Sequence, residues 1–120
     1  AKAYEETLAY LQSNLAPDVV YCENDNMCFG VMQALDELGI AYGDGGVTLI
    51  SFDAGRTALS YCKDGKIDLC AECNPLHGPR VRALIEQLAR GETPEKLSYM
   101  PEALFTADTL TAELLESRVY

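Results

Sequence analysis

The sequence predicts an α/β chain, doubly wound around a parallel sheet, and three observations predict it. Helix-like and strand-like hydrophobic patterns alternate from one end to the other. The helical stretches between strands run to about ten residues, the length that carries a right-handed crossover between parallel strands. The strand-like runs are short and apolar, and they stop at turn-forming residues.

Tyr4, Leu8, Leu11 and Leu15 share one face of a first helix, which Pro17-Asp18 should end. Val19 to Cys22 reads as a short buried strand. Asn24 or Asp25 can cap the next helix, whose apolar positions Val31, Leu35 and Leu38 keep helical spacing until Gly39 closes it. The glycine-rich turn Gly43 to Gly46 leads into a second strand, Val47 to Phe52, stopped by Asp53-Ala54-Gly55. A short helix runs from about Thr57 to Asp64, with Gly65 at its end. Ile67, Leu69 and Ala71 alternate with Asp68, Cys70 and Glu72 as a third strand. Pro75 and Gly78-Pro79 mark a loop and a helix start, and Val81, Leu84, Ile85 and Leu88 line that helix up to Gly91. A last extended stretch is expected near Leu97 to Met100, and a short helix from near Asp108.

With 120 residues the chain is one domain by length. Its 9 Lys plus Arg against 19 Asp plus Glu give a formal net charge of -10. Such a surface repels phosphate backbones and anionic membranes, so nucleic-acid binding is not expected. No apolar stretch approaches the roughly 20 residues of a membrane span. The opening Ala-Lys-Ala-Tyr-Glu-Glu does not read as a secretory signal, so an exported protein would carry its signal outside these residues.

The five cysteines are Cys22, Cys28, Cys62, Cys70 and Cys73, an odd set without the density of a disulfide scaffold. Cys70 and Cys73 form a C-x-x-C, but a second pair is lacking and His77 is the only histidine, so a closed zinc site is hard to assemble. Within a strand-like run Cys70 and Cys73 point to opposite faces, and the cysteines read as small apolar fillers. Several free thiols fit poorly with an oxidising compartment. No metal or cofactor is expected.

In an open parallel sheet ligands bind outside the carboxyl ends of the strands. Those ends carry Glu23-Asn24-Asp25-Asn26 after the first strand, Asp53 after the second, and Glu72 and Asn74 after the third. Carboxylates and amides can each bridge two neighbouring hydroxyls, which suits a neutral polyhydroxylated ligand. Each residue also has an ordinary structural use: Asn24 and Asp25 as helix caps, Asp53 in an Asx turn, Glu72 as an exposed strand residue. Their convergence on one edge of the sheet is what singles them out.

Tyr21-Cys22-Glu23-Asn24-Asp25-Asn26-Met27, then Gly30, Ala34-Leu35 and Gly39, resembles the N-D-x-M…G…A-L…G segment of type I periplasmic binding proteins. Ile50-Ser51-Phe52-Asp53-Ala54 is similar to their V-x-F-D strand end. Gly65-Lys66-Ile67 matches their G-K-I step before the third strand. Glu72-Cys73-Asn74-Pro75-Leu76-His77-Gly78-Pro79, with Gly91 and Pro94, resembles the branch that binds galactofuranose and related sugars. The likeness covers nearly the whole chain.

The resemblance implies a monosaccharide, with a furanose among the candidates, held by Asn24, Asp53 and Glu72, with Asp25 and Asn26 as lower-ranked neighbours. Glu72 stands where ribose-binding relatives carry glutamine. It implies further that residues 1–120 are the C-terminal portion of a two-lobed protein without its N-terminal lobe. The whole protein would be extracytoplasmic and would serve the membrane permease of an ABC importer. The stripe Val81, Leu84, Ile85 and Leu88, which would pack on the other lobe, is then bare, and the chain is expected to form a homo-oligomer or swapped dimer. The same fold also serves the effector domain of LacI-like, sugar-responsive transcription regulators. Gly65-Lys66-Ile67 and the Glu72 to Pro79 run favour the transporter branch. A glycosidase using Asp53 and Glu72 would need a perturbed acid that nothing singles out. The Gly43 to Gly46 cluster lacks the spacing of a nucleotide fingerprint, and His77 reads as a surface residue. The chain is not expected to be an enzyme.

Overall fold

The computed structural model describes residues 2–120. In chain order the elements are α1 (Lys2–Ser13), β1 (Val19–Tyr21), α2 (Asp25–Leu38), β2 (Thr48–Asp53), α3 (Arg56–Lys63), β3 (Leu69–Glu72), α4 (Gly78–Ala89), β4 (Leu104–Phe105), a 3-10 turn (Ala107–Thr109) and α5 (Ala112–Ser117). The four strands form one sheet in the order β1-β2-β3-β4. β1, β2 and β3 are parallel, and the fold is α/β as the alternation predicts.

The register fixes what each face of the sheet carries. Val19 pairs with Thr48, Tyr21 with Ile50, and Ile50 with Leu69, so these residues share one face. Val20, Leu49, Ser51 and Cys70 share the other. Right-handed crossovers between neighbours taken in sequence order deliver α2 and α3 to the same face. There Leu35, Leu49, Leu59, Ile67, Cys28, Cys62 and Cys70 are fully buried. Burying each of the larger aliphatic side chains contributes about 2 kcal/mol. α1 lies along α2 at a close approach, where a Cβ on Gly30 would meet the backbone nitrogen of Tyr4 at 2.9 Å.

The opposite face stays partly open to solvent, with Val19 at 52%, Tyr21 at 61% and Leu104 at 65% exposure. β1 is therefore not the buried strand its apolar run suggests, because it lies at the edge of the sheet with one face bare. Leu15 is also no part of a helical face: α1 ends at Ser13, where Asn14 turns its amide back to the Tyr10 carbonyl at 2.8 Å, and Leu15 is 91% exposed.

α2 begins and ends as the sequence indicates, with Asn24 as N-cap and Gly39 as C-cap at φ 65°. The last strand does not. Leu97 to Met100 form no strand; the pairing segment is Leu104–Phe105, and it runs antiparallel to β3 through Cys70↔Phe105 and Ala71↔Leu104. Pro101 cannot donate to a ladder, which leaves the pairing to the residues beyond it. α4 has Pro79 in its first turn and no buried residue, and Val81, Ile85 and Leu88 stand exposed as anticipated.

Candidate ligand site at the carboxyl ends of the strands

β1, β2 and β3 all point their carboxyl ends the same way, which gathers residues 22–26, 53–55 and 72–74 at one edge. Asp53 and Glu72 are register partners on neighbouring strands. Their chemistry differs because their surroundings differ.

Asn24 is half-buried, and its Oδ1 accepts from the Met27 amide at 2.8 Å as the cap of α2. That bond uses the carbonyl end, and the Nδ2 donors take part in no hydrogen bond among the described residues. Asn26 is exposed on the first turn of α2. A groove of about 750 Å³ opens beside them, bounded by Glu23, Asn24 and Asn26 at one end and Ala3 and Glu6 of α1 at the other.

Asp53 is exposed, with a carboxylate free of partners among the described residues. Its backbone is unusual: φ is 94° at Asp53 and 57° at Ala54. Left-handed conformations at non-glycine residues cost about 1 kcal/mol or more each and persist where the surroundings over-determine them. Here the carbonyl of Asp53 accepts from the Cys73 amide at 3.3 Å, and that of Ala54 from Arg118 Nε and Nη2 at 3.0 and 2.8 Å.

Glu72 is turned inward to an internal network. Oε1 accepts from Arg118 Nη1 at 2.6 Å and from the Tyr120 hydroxyl at 2.5 Å, and Oε2 accepts from the Ala103 amide at 3.0 Å. The Glu72 and Arg118 side chains are only 9% and 12% exposed. Burial opposes ionisation of Glu72, but hydrogen bonds from Tyr120 and Arg118, with the charge of Arg118, outweigh it and hold the carboxyl below the usual range. Burial and the bond to Glu72 push the Tyr120 phenol up to about 12. Both oxygens of Glu72 are thus engaged by the chain itself, with three of the roughly four acceptor sites of a carboxylate in use.

Asp25 lies deeper still, at 8% exposure. Oδ1 accepts from Ser51 Oγ at 2.6 Å and Oδ2 from the Gly55 amide at 2.8 Å. Burial raises its carboxyl above the ordinary value, and the bonds from Ser51 and Gly55 offset part of that rise.

Three participants escaped the sequence reading: Ser51, Arg118 and Tyr120. Ser51 sits in the middle of an apolar strand, where a hydroxyl with no flanking polar partner is the one available signal. Arg118 and Tyr120 meet Glu72 across 46 and 48 residues, a separation that no local pattern encodes. Cys70 is buried and Cys73 exposed, all five thiols are free, and among the described residues no group of three or more His, Cys, Asp or Glu could hold a metal ion.

Parallel βα units with polar side chains gathered at one edge make this an α/β lobe of the doubly wound class. Comparison with known proteins gives the lobe its family. Residues 1–90 match the family described as periplasmic binding protein domain. The chain is 31% identical to the fructose import binding protein FruE of Bifidobacterium longum (strain NCC 2705), over 67% of this chain and 24% of that protein. It is 33% identical to the galactofuranose-binding protein YtfQ of Escherichia coli (strain K12), over 80% of this chain and 30% of that protein. The periplasmic binding protein component of the arabinose ABC transporter from Shewanella sp. ANA-3, bound to alpha and beta-L-arabinofuranose, superposes with a TM-score of 0.84 at 25% identity, over 98% of this chain and 39% of that one. The chain belongs to the periplasmic binding protein family. It spans under a third of the length of these curated relatives.

Proposed function

We propose that this chain supplies one wall of the monosaccharide cleft in the substrate-binding protein of an ABC-type sugar importer. The observation that carries the reading is Asp53, an exposed and unpartnered carboxylate held at the carboxyl end of a central parallel strand. A carboxylate so placed accepts from two adjacent sugar hydroxyls, and the Nδ2 of Asn24 on the neighbouring loop adds donors. The three relatives carry fructose, galactofuranose and arabinofuranose in their names or bound states, and those names support a sugar that this site would take as a furanose. Glu72 shapes the site from behind through Arg118. The whole protein would act outside the cytoplasm and would close a second lobe over the sugar before meeting its permease, a hinge motion of this class of receptor. A sugar-responsive regulator would share the fold, but both curated relatives are named as binding proteins, one of them for import.

The test is a thermal-shift screen of the full-length protein carrying this chain, against pentoses and hexoses that populate furanose forms. Binding to the native state raises the melting temperature in proportion to affinity. One sugar should give a large rise that Asn24→Ala and Asp53→Ala each remove. No response across the panel would overturn the monosaccharide reading.

A further inference from the structure

Asp25 is the most deeply buried carboxylate at this edge, yet neither of its side-chain bonds lies within its own helix. Its two oxygens reach a different unit of the fold, to Ser51 within β2 and to Gly55 at the start of α3. Between those two anchors lies the arc Phe52-Asp53-Ala54, where two consecutive non-glycine residues hold positive φ. Ser51 is fully buried and Ala54 is fully buried, so the arc is fixed at both ends, while Phe52 is half-buried and Asp53 faces solvent. The approach at Gly55 is close: a Cβ there would meet Asp25 Oδ2 at 3.2 Å.

We propose that Asp25 is a positioning residue for ligand binding: its carboxylate staples Ser51 to Gly55 and thereby holds Asp53 in the left-handed backbone conformation that presents its carboxylate to the cleft. This rests on the proposed function, since it assigns Asp25 a role through Asp53 rather than a contact of its own. The chemistry demands an acceptor at Gly55 and a hydrogen-bonding partner at Ser51. Ser51 can also reverse its role and accept, because a hydroxyl both donates and accepts. Asparagine at position 25 could then accept from Gly55 through Oδ1 and donate to Ser51 through Nδ2. Alanine could do neither.

A double-mutant cycle in the full-length protein tests this, with D-fructose, L-arabinose and D-galactose as probes. Asp25→Ala should weaken binding of the responding sugar by about 10-fold or more, a loss of the size that outer partners of metal ligands show when removed. Asp25→Asn should restore most of that loss. In an Asp53→Asn background the further loss on Asp25→Ala should shrink to less than about threefold, because the residue being positioned is already compromised. Equal losses in both backgrounds, or no loss from Asp25→Ala, would overturn the proposal. Amide hydrogen exchange over residues 52–56 supplies a readout that needs no ligand. Faster exchange at Gly55 in Asp25→Ala, rescued in Asp25→Asn, supports the staple even if no probe binds the wild type, and unchanged exchange overturns it. Absence of sugar binding by the wild type sinks the proposed function alone.

Discussion

Glu72 and Asp25 are both carboxylates at strand ends, and their environments push them in opposite directions. Glu72 is held ionised by Arg118 and Tyr120, against the opposition of burial. A carboxyl with a depressed folded pKa contributes stability that is complete above its unfolded value of about 4.3 and is lost as pH falls through the folded value. Asp25 has the reverse sign: its folded pKa is raised, so its contribution grows less favourable as pH rises through the acidic range. Glu72→Gln should therefore lower the urea-unfolding stability by about 2 kcal/mol at pH 7, with the Arg118 charge left without its partner. That difference should be smaller at pH 3, below the unfolded carboxyl value of about 4.3, than at pH 7. A loss that is the same at both pH values would mean the ion pair does not govern it. Asn24 and Asp53 are singled out from the sequence because each follows a strand, and the structure has both at the carboxyl ends of β1 and β2. The roles of Glu72 and Asp25 were not legible, because the partners that define them, Arg118, Tyr120 and Ser51, come from distant parts of the chain.

Helices with complete local signals came through from sequence with their ends nearly intact. α2 has both caps written into it, Asn24 and Gly39, and its apolar positions Val31 and Leu35 do enter the core. β2 and α3 are divided by Asp53-Ala54-Gly55, and the division falls there. The errors lie where tertiary context decides. β1 is apolar but exposed, because sheet position rather than composition sets burial. β4 is two residues long and takes its direction from β3, a pairing that Leu97 to Met100 imitate in composition without the geometry to make it. α4 carries a full hydrophobic stripe and buries none of it. Both the stripe and its exposure were expected, the exposure from the resemblance to a two-lobed family, and in the structure α4 contributes no buried residue.

At the scale of the whole chain the dimensions tell the same story. The radius of gyration is 18.2 Å and the principal extents are 60 × 31 × 21 Å. A compact chain of this length would have a radius near 14 Å. The accessible surface of 7853 Å² exceeds by about 1,500 Å² the value expected of a folded monomer of 13.1 kDa. That excess is about twice the roughly 800 Å² that each partner gives to a standard protein interface, and exposed apolar residues of α4 and of the open face of the sheet are available to supply such a contact. The isolated 120-residue chain should accordingly elute as a dimer or larger species in sizing chromatography, and Ile85→Lys with Leu88→Lys should shift it towards monomer. A wild-type chain that stays monomeric at high concentration would show that these surfaces do not associate.

The central claim is that Asp53 binds a sugar from this wall of the cleft. Calorimetric titration of the full-length protein with the sugar that shifts it most, comparing wild type with Asp53→Ala, tests it most directly. Losing charge-assisted hydrogen bonds to two hydroxyls should weaken binding by at least about 30-fold, with the melting temperature of the unliganded protein little changed. An affinity within about threefold of wild type would remove Asp53 from the ligand, and with it the geometric basis of the proposed cleft.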